Sequence, residues 1–179
     1  MSKTFFISDT HFGHYNAACV FTRDDGTPLR GFKSVEEMDE HMISKWNSVV
    51  SPKDRVYHVG DFCMNRKYLK TYNRLNGRIA VILGNHDIWK LEEYKQFQNI
   101  DQLCGVRMFP KLGWVVTHVP IHDRQLQGRW THNIHGHLHY QRVVDKHGKI
   151  DLRYFNVSVE CINYTPIDLE DLENRLKNG

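Results

Sequence analysis

Short apolar runs that stop abruptly at polar residues recur along this chain. Thr4-Phe5-Phe6-Ile7 gives way to Ser8-Asp9-Thr10, Arg55-Val56-Tyr57-His58-Val59 to Gly60-Asp61, and Arg78-Ile79-Ala80-Val81-Ile82-Leu83 to Gly84-Asn85-His86-Asp87. Runs of this length, rich in β-branched and aromatic residues, predict buried strands. Between the first two the period changes. Val35, Met38, Met42, Trp46 and Val49 share one helical face behind the capping box Ser34-Val35-Glu36-Glu37, which predicts a helix ending near Ser51-Pro52. Further helices are expected from Arg66 to Leu75, stopped by Asn76-Gly77, and from about Ile88 to Phe97. Val106 to Phe109 and Gly113 to Thr117 read as paired strands around Pro110-Lys111, the second running out at His118. Gln141 to Val144 and Lys149 to Val159 read as a hairpin around Asp145-Lys146-His147-Gly148. Thr165 reads as the cap of a final helix with Pro166 at its first position. The stretch after Thr10, through Gly26-Thr27-Pro28 and Gly31, reads as loop.

Strand-helix units followed by a late hairpin predict mixed α and β structure, with helices packed on more than one sheet. In open α/β arrangements the carboxyl ends of strands gather on one edge, where ligands bind. No repeat, low-complexity tract or linker interrupts the chain, and 179 residues favour a single domain over 1–179 without a cap or accessory domain. With 40% hydrophobic and 25% charged residues the composition is that of a globular protein rather than a disordered one. No apolar run approaches the roughly 20 residues of a membrane span, and the amino terminus lacks the apolar middle region of a secretory signal. A cytoplasmic protein without membrane partners is the expectation. The net charge of +3 comes from interspersed residues and does not by itself indicate nucleic acid as a partner. Cys19, Cys63, Cys104 and Cys161 lack metal-knuckle spacing and are expected to stay reduced. The feature out of line is the 12 histidines.

Several of them fall where strands end. The polar clusters are Asp9-Thr10-His11, Gly60-Asp61, Gly84-Asn85-His86-Asp87, His118 and Gly136-His137-Leu138-His139. Each alone has an ordinary explanation, since polar residues after a strand commonly bind the backbone of the following turn. Together they offer carboxylate, imidazole and amide oxygen without thiolate, a donor set suited to Mn, Fe, Ni or Zn. Their order and spacing resemble the calcineurin-like metallophosphoesterase superfamily, over roughly residues 4 to 160. Ile7-Ser8-Asp9-Thr10-His11-Phe12-Gly13-His14 and Asn156-Val157-Ser158-Val159 look like a compact bacterial and phage subgroup.

The resemblance implies a two-sheet β-sandwich flanked by helices, with a dinuclear metal site at the strand carboxyl ends. It implies that Asp9, His11, Asp61 and His139 hold one divalent ion and Asp61, Asn85, His118 and His137 the second, with Asp61 bridging. Manganese is the first expectation, with iron, nickel or zinc as alternatives. The implied reaction is hydrolysis of a phosphate ester by in-line attack of a metal-bridging hydroxide. His86 would be catalytic, protonating the leaving group or binding phosphate, and Asp87 would orient its ring. A site without a cap should admit bulky substrates, so a phosphodiesterase is favoured, with a phosphomonoesterase, protein phosphatase or nuclease as alternatives on the same site. The substrate is then a phosphate ester, with nucleotide-derived diesters among the candidates.

Other readings remain open at this point. His14, Arg66 and His122 are candidates for contacting the substrate phosphate, Arg66 through a bidentate guanidinium, and each can equally be a solvated loop residue. Asn16 is a weaker candidate of the same kind. His132 and His135 read as supporting or exposed, His41 and His147 as surface, and His58 as a core imidazole. A non-catalytic binding scaffold is the reading from another class; it would be expected to have lost ligands or the active-site histidine, and this chain keeps both. A mononuclear zinc hydrolase built on His137 and His139 would leave Asp9, His11 and Asn85 without roles.

Overall fold

The computed structural model describes residues 2–87 and 91–178. Two sheets face each other. The first has the order β4-β3-β2-β1-β9, built from β1 (Thr4–Ile7), β2 (Arg55–His58), β3 (Arg78–Ile82), β4 (Ile100–Cys104) and β9 (Ile167–Asp168). The second has the order β5-β6-β7-β8, built from β5 (Val106–Phe109), β6 (Trp114–Thr117), β7 (His132–His135) and β8 (Tyr154–Asn156). β1 to β4 run parallel, as do β6 to β8, while β9 and β5 are antiparallel edges. The expected two-sheet sandwich with flanking helices is therefore present.

Strand alternation explains the layers. Phe6 and Tyr57, side by side in β1 and β2, both meet the Phe109 ring of the second sheet, at 5.8 and 5.2 Å between centroids. His58, one residue on, points the other way and stacks on Trp46 of α2 (Val35–Val49). Met38, Met42 and Trp46 are buried as the helical period required, Ser34 caps the helix through Glu37 N at 3.1 Å, and Trp46 Nε1 donates to Asn76 O. One hydrophobic core runs through both sheets.

The structure corrects several expectations. The stretch after Thr10 contains a short helix, α1 (Tyr15–Cys19), capped by His14. The helix expected from Arg66 to Leu75 is present over residues 66–74, wound as a 3₁₀ helix. Of the helix expected from Ile88 to Phe97, the described part is α3 (Leu91–Tyr94), and residues 88–90 lie outside the described residues. The hairpin shrinks to one bridge, Val144 to Ile150, because Tyr154–Asn156 leaves to pair in parallel with β7. Pro166 leads into β9 instead of opening a helix; the cap of α4 (Leu169–Asn178) is formed by Asp168, whose carboxylate accepts from Asp171 N. His41 is half-buried between the rings of Phe32 and Tyr164 rather than on the surface. No described helix is long and apolar enough to cross a membrane, and all four cysteines are free thiols.

α2 carries a carboxylate on its inner side. Asp39 accepts from Gly13 N at 3.0 Å, and burial, reinforced by Glu36 and Glu40, raises its pKa to about 6. A carboxyl group whose folded pKa is raised stabilises the fold fully only below its unfolded pKa of about 3.9. That contribution is lost as pH rises through the folded value. A neutral amide at this position would keep the acceptor and shed the charge. Asp39→Asn is expected to raise the thermal midpoint at pH 7.5 by about 2–4 °C, the equivalent of about 1 kcal/mol once solvent screening at the rim is allowed for. The gain should shrink as pH falls from 6 towards 4, which thermal melts across that range would measure.

Candidate metal centre

The carboxyl ends of β1, β2, β3, β6 and β7 open onto one edge, and the polar clusters converge there. Asp9, His11 and His139 bring one ligand atom each to within 4.8 Å of one another, and Asp61, His118 and His137 do the same. Asp61 joins the groups. Its Oδ2 lies 3.3 Å from His118 Nε2, 3.8 Å from His11 Nε2 and 3.9 Å from His86 Nε2. Asn85 Oδ1 stands 3.2 Å from His118 Nε2, on the side of the second group.

The backbone is bent to achieve this. Asp9, His11, Asp61, His137 and His139 all have positive φ, between 47° and 69°, a region that side-chain-bearing residues rarely occupy. Strain of this kind costs of order 1–3 kcal/mol per residue and persists where the surroundings impose it, characteristically at functional sites. Two glycines make room. A Cβ on Gly84 would lie 2.2 Å from Asp61 Oδ1, and one on Gly136 would lie 2.3 Å from Asp9 Oδ2.

Hydrogen bonds aim the donors. Asp9 Oδ2 accepts from Ser158 Oγ and His137 N, both at 2.9 Å, so its other oxygen is left for a ligand. That oxygen, Oδ1, is buried without a hydrogen-bond partner, as are both ring nitrogens of His11. Burial would raise the Asp9 pKa, but the imidazoles of His11, His118 and His139 outweigh it and hold the group well below the usual carboxylate range. His11 is pushed down by burial and so is neutral. His118 Nδ1 lies 2.8 Å from Val59 O, to which it donates, and this aims Nε2 at Asp61 and Asn85. Burial lowers the His118 pKa, yet Asp61 and Asp9 carry it up to about 9. An ionised carboxylate, a neutral imidazole and orphaned acceptor atoms in a buried cluster match the requirements of divalent cations.

Where, then, are the other expected residues? His86 lines the cleft, its ring 5.8 Å from that of His11, and its backbone N–H donates to Asp61 Oδ1 at 2.9 Å. Asp87 does not serve the His86 ring. Its carboxylate accepts from Asp61 N, Gly84 N, Phe62 N and Tyr94 Oη, so it braces the turn that carries Asp61. His14 lines the cleft while its Nδ1 caps α1 through Ala17 N. Arg66 is outside the cleft, largely exposed and paired with Glu93 at 3.0 Å. His122 is likewise exposed, and its ring caps the 3₁₀ turn 123–126 and pairs with Asp123. Asn16 is exposed on α1. His58 and His135 are buried with pKa values pushed down to about 4 by burial, and support the site as neutral rings. Three residues beside the site lie outside the expected set: Ser158, Arg30 and Glu160. Ser158 belongs to the Asn156-Val157-Ser158-Val159 stretch, whereas nothing local marks the other two.

The cleft over the cluster holds about 310 Å³ and is lined on its apolar side by Ala17, Phe21 and Met64. A larger cavity, about 490 Å³, lies at the amino-terminal end of β1, with its charges paired as Lys3–Asp168 and Arg175–Asp171.

Residues 2–176 match the family model for calcineurin-like phosphoesterases. The chain belongs to that family. As a calcineurin-like phosphoesterase it is also similar to an uncharacterized protein of Methanocaldococcus jannaschii, 32% identical across the whole of this chain and 94% of the relative. The Gene 66 protein of Mycobacterium phage L5 is 27% identical over 90% of this chain and 88% of its own. The fold is that of a protein of unknown function from Aquifex aeolicus, with a TM-score of 0.69 at 24% identity, covering 97% of this chain and 99% of that one. Membership of this family implies metal-dependent hydrolysis of phosphoester bonds.

Proposed function

We propose that this calcineurin-like phosphoesterase is a phosphodiesterase that works with two divalent cations, manganese first among them. The observation that carries the reading is the Asp61 carboxylate, which faces both ligand groups at the floor of an open cleft. When bound, the cations would neutralise phosphoryl oxygens and lower the pKa of the attacking water. Asp9, His11 and His139 would hold one, Asn85, His118 and His137 the other, and Asp61 both. His86 faces the same floor from the cleft wall. Water attacks phosphorus in line and gives up a proton to solvent, the P–O ester bond breaks, and His86 protonates the departing alkoxide. Asp87 and Gly84 keep Asp61 in place for this.

Exposure favours the diester. Asn85 and His137 are open to solvent, and among the described residues no inserted cap covers them. A phosphate carrying two organic groups can lie across such a site, one of them against Phe21 and Met64. The test is turnover, with added Mn²⁺, of bis(p-nitrophenyl) phosphate and p-nitrophenyl phosphate. A kcat/KM at least about 10-fold higher for the diester, a difference of about 1.4 kcal/mol in transition-state stabilisation, is expected. The reverse preference would make the protein a monoesterase, and two bound metals with no turnover of either would make it a scaffold.

A further inference from the structure

Under the Asp9–His11–His139 group lies a charge pair that the metal-ligand set does not include. The side chains of Arg30 and Glu160 are fully buried and joined by Arg30 Nε to Glu160 Oε1 at 2.8 Å. Arg30 also donates to the backbone carbonyls of Asp9 and Thr10, tying the pair to the turn that carries the first ligand. The same Glu160 oxygen accepts from His139 Nδ1 at 3.0 Å. The His139 carbonyl is held by Asn156 Nδ2 at 2.8 Å and by the Cys161 thiol at 3.1 Å, in a residue whose φ is 51°.

The geometry points to Glu160, backed by Arg30, as the positioning residue for His139. A proton fixed on Nδ1 by a carboxylate leaves Nε2 as the lone pair, fixes the ring's direction and raises its basicity as a ligand. His118 has only a backbone carbonyl for this purpose, and both nitrogens of His11 are without hydrogen-bond partners. Arg30 supplies the compensating charge that lets a carboxylate stay ionised away from water.

The inference rests on His139 being a metal ligand, and its test separates the two claims. Binding of Mn²⁺ to the full chain is followed by calorimetry, and ¹¹³Cd NMR of the cadmium-loaded protein reads the two positions separately. Glu160→Gln keeps an acceptor but loses the charge; the double variant Arg30→Met with Glu160→Leu removes the pair without leaving a buried charge. The wild type is expected to bind two ions. Glu160→Gln should weaken one position about 10-fold and the double variant about 100-fold, within the usual range for such supporting partners, while the other position holds. One cadmium resonance should shift or vanish and its companion stay. Unchanged affinities, or equal weakening at both positions, would overturn the inference, as would a double variant that cannot fold, since the pair would then be structural. Fewer than two ions on the wild type would overturn the metal reading itself.

Discussion

Asp61→Asn is expected to lose both metals and at least about 10³-fold in kcat/KM, because two cations contribute several kcal/mol of charge stabilisation and each 1.36 kcal/mol is tenfold. Among the described residues Asp61 is the carboxylate that faces both ligand groups; its Oδ2 lies within 3.8 Å of ring nitrogens from each. An amide in its place offers one oxygen to two positions and carries no charge to offset them. The surroundings should survive. Asp61 is held by its backbone, through Asp87, and its Oδ1 accepts from His86 N, a role an amide oxygen can fill. Circular dichroism should therefore match the wild type while metal analysis after desalting finds neither ion. Retention of one ion at full affinity would show that the two groups are independent sites.

His86→Ala should do something different. Its side chain is about a third exposed in the cleft, and the contact that anchors Asp61 is made by its backbone N–H, which alanine keeps. Metal content is expected to stay at two ions while turnover falls about 10²-fold or more, the usual weight of a general acid. A substrate with a good leaving group needs that proton less. The loss should accordingly be smaller for p-nitrophenyl than for alkyl esters, measured as the ratio of kcat values for the two. Unchanged turnover in the metal-loaded variant would remove His86 from the reaction.

What can be read from the residues divides along physical lines. β1, β2, β3 and α2 follow from short-range patterns, since their apolar positions and end signals are local. β4 is not legible in this way, because Asp101 and Gln102 break any alternation and the segment becomes a strand by pairing with β3 across a register shift. The fate of Tyr154–Asn156 is a choice between a hairpin partner nearby and β7 across the sheet, and tertiary packing makes it. At the site, the expected ligand residues are legible because each stands where a strand stops. Asp87 departs from its expected role for a related reason. Sequence neighbours in a tight turn point apart, so its carboxylate reaches the Asp61 backbone rather than the ring beside it. Arg30 and Glu160 are 130 residues apart and meet only in the folded chain.

The central claim is that two ligand groups share Asp61 and together hold two divalent ions. Crystals grown with Mn²⁺, with anomalous differences measured on the manganese edge, test it most directly. Two peaks are predicted, one among Asp9, His11 and His139, the other among Asn85, His118 and His137, with Asp61 touching both. A single peak, or peaks that Asp61 does not touch, would contradict it.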